Sequence, residues 1–185
     1  MIGQLPVSLN VNGIDYMINS DFRTCLLIFE ALDDPDLSDC EKAVVAVSCL
    51  FVDDIPPEHY NEAVNKAYWF LDGGDMPKTK PQTKKMIDWK QDEGIIFPAI
   101  NKVAGYEIRM PDKNLHFWSF LGLFGEIGEG LFSTVMQIRQ KKAKNKKLEK
   151  WEDEFYRNNR ELIDIKTKYS EEQQAEIDRL NALLN

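Results

Sequence analysis

The chain has 185 residues, 43% of them apolar and 11% aromatic, which is material for one globular core plus an extension and too little for two large domains. The opening MIGQLPVSLN lacks a basic stretch followed by an apolar run, and no segment reaches the roughly 18 uncharged apolar residues of a membrane span, so a soluble cytosolic protein is expected. The net charge of −8 is uneven: residues 1–75 hold 3 Lys or Arg against 14 Asp or Glu, which turns that part away from nucleic acid and anionic lipid.

In VSLNVNGIDYMI, alternating apolar residues flank Asn12-Gly13, the pair that best tolerates the positive φ of a type I′ turn. The register predicts 11 opposite 14, 9 opposite 16 and 7 opposite 18, with all six side chains on one face. Two strands alone are marginal in water, so helices are expected to cover that face. Ser20 or Asp21 can cap a first helix through about Leu32, and DDPD ends it. Ser38-x-x-Glu41 is a capping box for a second helix through Val52, apolar nearly all round and therefore expected at the centre of the core. A third helix follows Pro56-Pro57, with Tyr60, Ala63, Val64, Ala67 and Leu71 at helical spacing, and Gly73-Gly74 stops it. Cys25, Cys40 and Cys49 form no CxxC pair and read as small buried apolar residues on helices, in a reducing compartment.

GGDMPKTKPQTKK reads as a flexible loop. A fourth helix is expected from Met86 to Ala104, kinked at Pro98, followed by a short extended YEIRM. A buried helix should then start near Asp112 or Asn114, and GEIGEG forms a loop rather than a phosphate cradle, since Glu126 and Glu129 would repel an anion. From Leu131 a helical pattern runs to about Tyr169. Its second half carries Leu148, Trp151, Phe155, Leu162, Ile165 and Tyr169 at alternating three- and four-residue steps, with Asn158 filling the one polar seam position, a short heptad stripe. Ser170-x-x-Gln173 caps a terminal helix with Ile177, Leu180 and Leu184 on one face.

Few residues suggest chemistry. His116 lies three residues from Ser119, but adjacent helical positions rarely give a nucleophile, a base and an orienting group together. A structural role is expected for His116 and for Trp118 beside it. His59 has no cysteine or carboxylate at ligand spacing, which argues against zinc. Asp88 and Asp92, four apart with Glu93 adjacent, could do acid–base work or bind a hard cation, but solvent or an ion pair is the commoner role, and Arg23 is the candidate partner of Asp92. No catalytic, cofactor-binding or metal-binding residue is assigned. The basic run IRQKKAKNKKLEK, whose charged residues span 139–150, would track phosphates as a nucleic-acid site, yet no aromatic lies within it and acidic WEDEF follows.

Several short motifs in this order resemble a bacteriophage family, the gene product fifteen tail proteins. They are Ser20-Asp21-Phe22-Arg23, Glu41-Lys42, Ile55-Pro56, Asp88 with Asp92-Glu93, Leu115-His116-Phe117-Trp118 with Phe120, and Ile138-Arg139. The similarity covers about residues 5–142. It departs at Phe117, where the family pattern has tryptophan, at Pro98 and at the glycine-rich GEIGEG. The resemblance implies a tail-morphogenesis protein encoded just before the tape-measure gene. Proteins in that position look like tail assembly chaperones, which bind the long helical tape-measure protein while tube subunits polymerise.

The expected fold is mainly α: a hairpin plus helical domain over 1–130, then a long C-terminal helical extension over 131–185. The expected function is that of a non-enzymatic tail assembly chaperone in the bacterial host cytoplasm, without cofactor, binding the tape-measure protein or other tail proteins through Leu148, Trp151, Phe155, Leu162 and Ile165. Folding of that stripe onto the chain's own core, or pairing in a homo-oligomer, is the plainer alternative. Two further functional readings are a structural component retained in the virion and a nucleic-acid-binding protein acting through 139–150.

Overall fold

Asn12 and Gly13 take φ values of 50° and 86°, the left-handed pair that a type I′ turn requires. Strands β1 (Ser8–Val11) and β2 (Ile14–Met17) therefore pair antiparallel, with Val11 opposite Ile14 and Leu9 opposite Tyr16. The Ile18 amide extends the register by donating to the Val7 carbonyl at 3.0 Å. In this computed structural model, which describes residues 3–74 and 85–184, Leu9, Val11, Tyr16 and Ile18 are buried. Val7 and Ile14 remain 55% and 50% exposed. The six-residue face expected from the alternation is thus a buried four, with its two end residues in solvent.

Helix α1 (Phe22–Leu32) starts at Asp21, whose side chain accepts the Arg23 amide. Helix α2 (Asp39–Leu50) starts at the Ser38–Glu41 capping box, complete in both directions. A single 3₁₀ turn over Pro57–His59 leads into α3 (Tyr60–Leu71). Helix α2 packs on both α1 and α3, and α3 covers the hairpin. Ala46, Val47 and Leu50 of α2 are buried, but Val44 is 49% exposed, so α2 has an outer face and is not surrounded. Cys25 is buried as expected, but Cys40 is exposed at the start of α2. Most of the loop read from GGDMPKTKPQTKK lies outside the described residues.

Helix α4 (Glu93–Ala104) begins seven residues later than the periodicity suggested. The Asp88 carboxylate accepts the Lys90 and Gln91 amides, a local turn that competes with helix at this point. The helix runs on through Pro98 because Pro98 and Gly94, the residue whose carbonyl loses its donor, both face solvent. Gly105, at φ 77°, closes it. YEIRM is not extended: Asn101 Oδ1 accepts the Ile108 amide and folds the segment into a turn that buries Ile108. Helix α5 (Phe117–Gly125) starts later than Asp112 or Asn114, since His116 is its cap.

The segment from Leu131 is not one helix. Helix α6 (Leu131–Ala143) ends at Asn145, which has φ 52°. There the Lys146 amide reaches the Lys141 carbonyl at 2.8 Å and the Asn145 amide the Lys142 carbonyl at 3.1 Å. Those two bonds make a Schellman motif with asparagine in the left-handed position. Helices α7 (Lys150–Asn158) and α8 (Arg160–Ile163) follow, with a non-helical stretch to Ser170 and then α9 (Glu171–Leu184). Helix α6 packs on α4 and α8 on α6, so the chain turns back onto the body before the terminal helix leaves it. The fold is mainly α, with the hairpin first and a helical C-terminal extension last.

Asn145→Leu should lower unfolding stability by about 1 kcal/mol, because a branched side chain resists the left-handed region, whereas Asn145→Gly should be neutral or stabilising. Urea denaturation of the three proteins checks this.

Candidate functional site

Two junctions bring the family motifs together. At the first, Arg139 of α6 is 5% exposed and faces Asp92, which is fully buried at the start of α4. Arg139 Nη1 and Nη2 reach the two Asp92 oxygens at 2.6 and 2.7 Å, a bidentate pair. The remaining guanidinium hydrogens go to backbone: Nε to the Ile163 carbonyl at 2.7 Å, Nη1 to Met86 at 2.9 Å and Nη2 to Leu162 at 2.8 Å. All five donors of the side chain are used. The expected Arg23–Asp92 pair is therefore corrected: Asp92 belongs to Arg139, and Arg23 binds its neighbour Asp21 at 2.8 Å and the Lys113 carbonyl at 3.1 Å. Arginine at 139 lay inside a lysine run, which hid it among solvated charges.

Asp88 supports this junction. It too is buried, and its oxygens take the Gln91 amide and the Lys85 ammonium, each at 2.9 Å, with Lys168 at 3.7 Å. Burial pushes the Asp88 carboxyl up, but the Gln91 amide, Lys85 and Lys168 outweigh it and hold it below its ordinary value of 3.8.

At the second junction the openings of α1 and α5 meet. The Phe22 amide donates to the Leu115 carbonyl at 3.0 Å and the Phe117 amide to Ser20 at 2.7 Å. Asp21 caps α1 and also accepts the Leu115 amide at 3.3 Å. His116 caps α5 by accepting the Trp118 amide at Nδ1, 3.1 Å away, which places its ring proton on Nε2, where it donates to the Pro6 carbonyl at 2.9 Å. Both ring nitrogens are thus committed, and neither turns to Ser119. The Trp118 indole donates to the Phe70 carbonyl at 2.9 Å. Beneath these, Phe22 stacks on Phe120 with centroids 4.8 Å apart. His59 is bonded to the Tyr16 hydroxyl at 3.0 Å.

The heptad stripe is divided by the fold. Leu148, Phe155 and Leu162 pack against the core, Ile165 is half-buried beside Arg139, and Trp151 is 53% exposed. The basic run divides as well. Lys141 grips both oxygens of buried Glu152 at 2.7 Å, and Lys142 pairs with Asp164 and sits 3.6 Å from the centre of the Tyr156 ring. Lys144, Lys146, Lys147 and Lys150 stay exposed, with no acidic partner among the described residues.

A groove of about 470 Å³ lies along α1, with Phe22, Leu26, Leu27, Trp89 and Phe97 in its walls and Arg23, Glu30, Lys90, Glu93 and Arg109 at its rim. Leu27 is 64% exposed there. Sequence reasoning missed this surface, although α1 offered a signal: Cys25 to Phe29 is five apolar residues in a row, wider than one buried helical face, so one of them had to face outward.

Among the described residues no helix is long and apolar enough to cross a membrane, and no cluster of three or more His, Cys, Asp or Glu is arranged to hold a metal. A model of the bacteriophage Gp15 protein family matches residues 1–170, a longer span than the motifs alone suggested. No curated protein and no solved structure matches the chain.

Arg139→Met should cost about 3–5 kcal/mol, because it strands the buried Asp92 charge, and the double variant Arg139→Met/Asp92→Leu should recover much of that loss. Urea denaturation at pH 7 measures both. Acid sensitivity has its own test. Since Asp88 titrates lower in the folded chain than its unfolded value of 3.8, its contribution is present above that pH and is lost as pH falls below it. Asp88→Asn should therefore show a flatter loss of stability below about pH 4 than the parent chain.

Proposed function

The chain belongs to the bacteriophage Gp15 family and is a phage structural or morphogenesis protein; we propose that it is a non-enzymatic tail assembly chaperone that binds the tape-measure protein. What supports this above all is how its motif residues are employed. Arg139, Asp92, His116 and Trp118 direct their polar groups at one another or at backbone carbonyls and amides, leaving the exposed surfaces as the part of the molecule that can act. Among the described residues no buried side-chain nitrogen or oxygen lacks a partner.

The α1 groove suits a helical partner. It offers apolar walls and a rim of both charge signs, and an amphipathic helix of a tape-measure protein would lay its apolar face there, with lysine and glutamate side chains reaching the rim.

Co-expression with the long helical protein encoded immediately downstream should give a soluble complex, and Leu27→Glu should weaken it at least about tenfold while changing unfolding stability by less than about 0.5 kcal/mol. Unchanged binding by Leu27→Glu would remove the groove as the docking site. Mass spectrometry of purified particles separates this role from that of a retained tail component, since a chaperone should be absent or sub-stoichiometric.

A further inference from the structure

Helix α9 lies beyond the region the family match covers. Its base is fastened: the Ser170–Gln173 box is closed in both directions, and the Glu171 amide donates to Asp36 Oδ1 at 2.8 Å. Past that point its apolar side is largely exposed. From residues 171 to 183 only Ile177 is half-buried, while Leu180 and Leu183 are 54% and 77% exposed. A helix of 14 residues is marginal in water without something to cover its apolar side.

Elsewhere on the same chain is a surface of matching chemistry. The Schellman turn after α6 presents Lys144, Lys146 and Lys147, Lys150 opens α7, and next to Lys150 stands Trp151, 53% exposed. Helix α9 carries Glu171, Glu172, Glu176 and Asp178 against Arg179 alone. Glu172 and Glu176 flank the side bearing Leu183 and Leu180, as helical spacing dictates. Among the described residues no ion pair joins these two surfaces within one chain.

We propose that α9 of one copy seats on the lysine turn and Trp151 of the next, so that the protein associates head to tail. The apolar stripe of α9 covers Trp151, and its glutamates face the four lysines. Because the two surfaces differ, the contact is heterologous: it closes a ring if the rotation between copies allows, and otherwise extends as an open chain. The α1 groove takes no part, so this association and tape-measure binding stand or fall separately.

Sedimentation equilibrium of the full chain tests the idea. At about 100 μM, where a contact with Kd near 10 μM is mostly formed, the mass should exceed the 21.4 kDa of one copy. It should fall back toward that mass as salt rises from about 50 to about 500 mM. Glu172→Lys/Glu176→Lys and Lys146→Glu/Lys147→Glu should each remain single copies alone, and an equimolar mixture should regain the parent mass, since each variant's altered surface meets the other's. Trp151→Ala should weaken association at least tenfold. A parent chain that stays at one copy, variants that assemble like the parent, or a mixture that does not recover would each overturn the proposal. So would a monomeric parent whose lysine turn binds an oligonucleotide, because the turn would then be a polyanion site.

Discussion

The Arg139–Asp92 pair is the constraint on which the second half of the fold depends. Arg139 leaves α6, reaches the start of α4 through Asp92, the Met86 carbonyl ahead of it, and the Leu162 and Ile163 carbonyls of the returning chain. Three stretches distant in sequence are held by one guanidinium. Removing two charges from water is costly, and a buried ion pair often does no better for net stability than apolar residues of the same volume. What it supplies here is direction. An apolar contact would tolerate α8 sliding along α6, whereas five hydrogen bonds with fixed angles admit one arrangement. Lysine could not replace this: it has three donors on a flexible stem and no planar fork.

The same logic governs the other junction. Asp21 caps α1 and holds the Leu115 amide ahead of α5, His116 caps α5 and reaches the Pro6 carbonyl, and the Phe22–Leu115 and Phe117–Ser20 backbone bonds join the two openings, so α1 and α5 share an origin. The aromatic stack of Phe22 on Phe120 is set by that shared origin. Short polar motifs thus place the helices, and apolar area then stabilises the placement, which is why the motifs look too scattered along the sequence to form one site.

Local features were legible in the sequence and distant partners were not. The Asn12-Gly13 turn and the Ser38–Glu41 and Ser170–Gln173 boxes depend on residues within four positions of one another, and all form as written. The break at Asn145 was also local, but one asparagine among lysines that favour helix is a weak stop signal until the Schellman bonds are seen. The partner of Asp92 is 47 residues away, and no spacing rule reaches that far. Choosing Arg23 rested on its being a rare positive charge in an acidic region, a scarcity that carries no information about distance. The groove escaped notice for a different reason: a concave surface is made by α1, Trp89 and Phe97 jointly, and no one segment contains its shape.

The lysine run shows how folding changes the meaning of a composition. Read as a string, 139–150 is a basic segment fit for phosphate. Folded, Arg139, Lys141 and Lys142 serve Asp92, Glu152 and Asp164, and only the lysines around the turn keep their charge for an external partner. Lys141 holds the Glu152 carboxyl below its ordinary value, even against the burial that pushes it up, so α7 is pinned to α6 by the very residues that seemed to be solvated. That pinning sets Trp151 at the edge of the lysine turn instead of in a continuous coiled-coil seam. A surface with one aromatic anchor and several unpaired cations differs in kind from a heptad stripe: it selects for an acidic, apolar-faced helix, where a stripe would have accepted any apolar one.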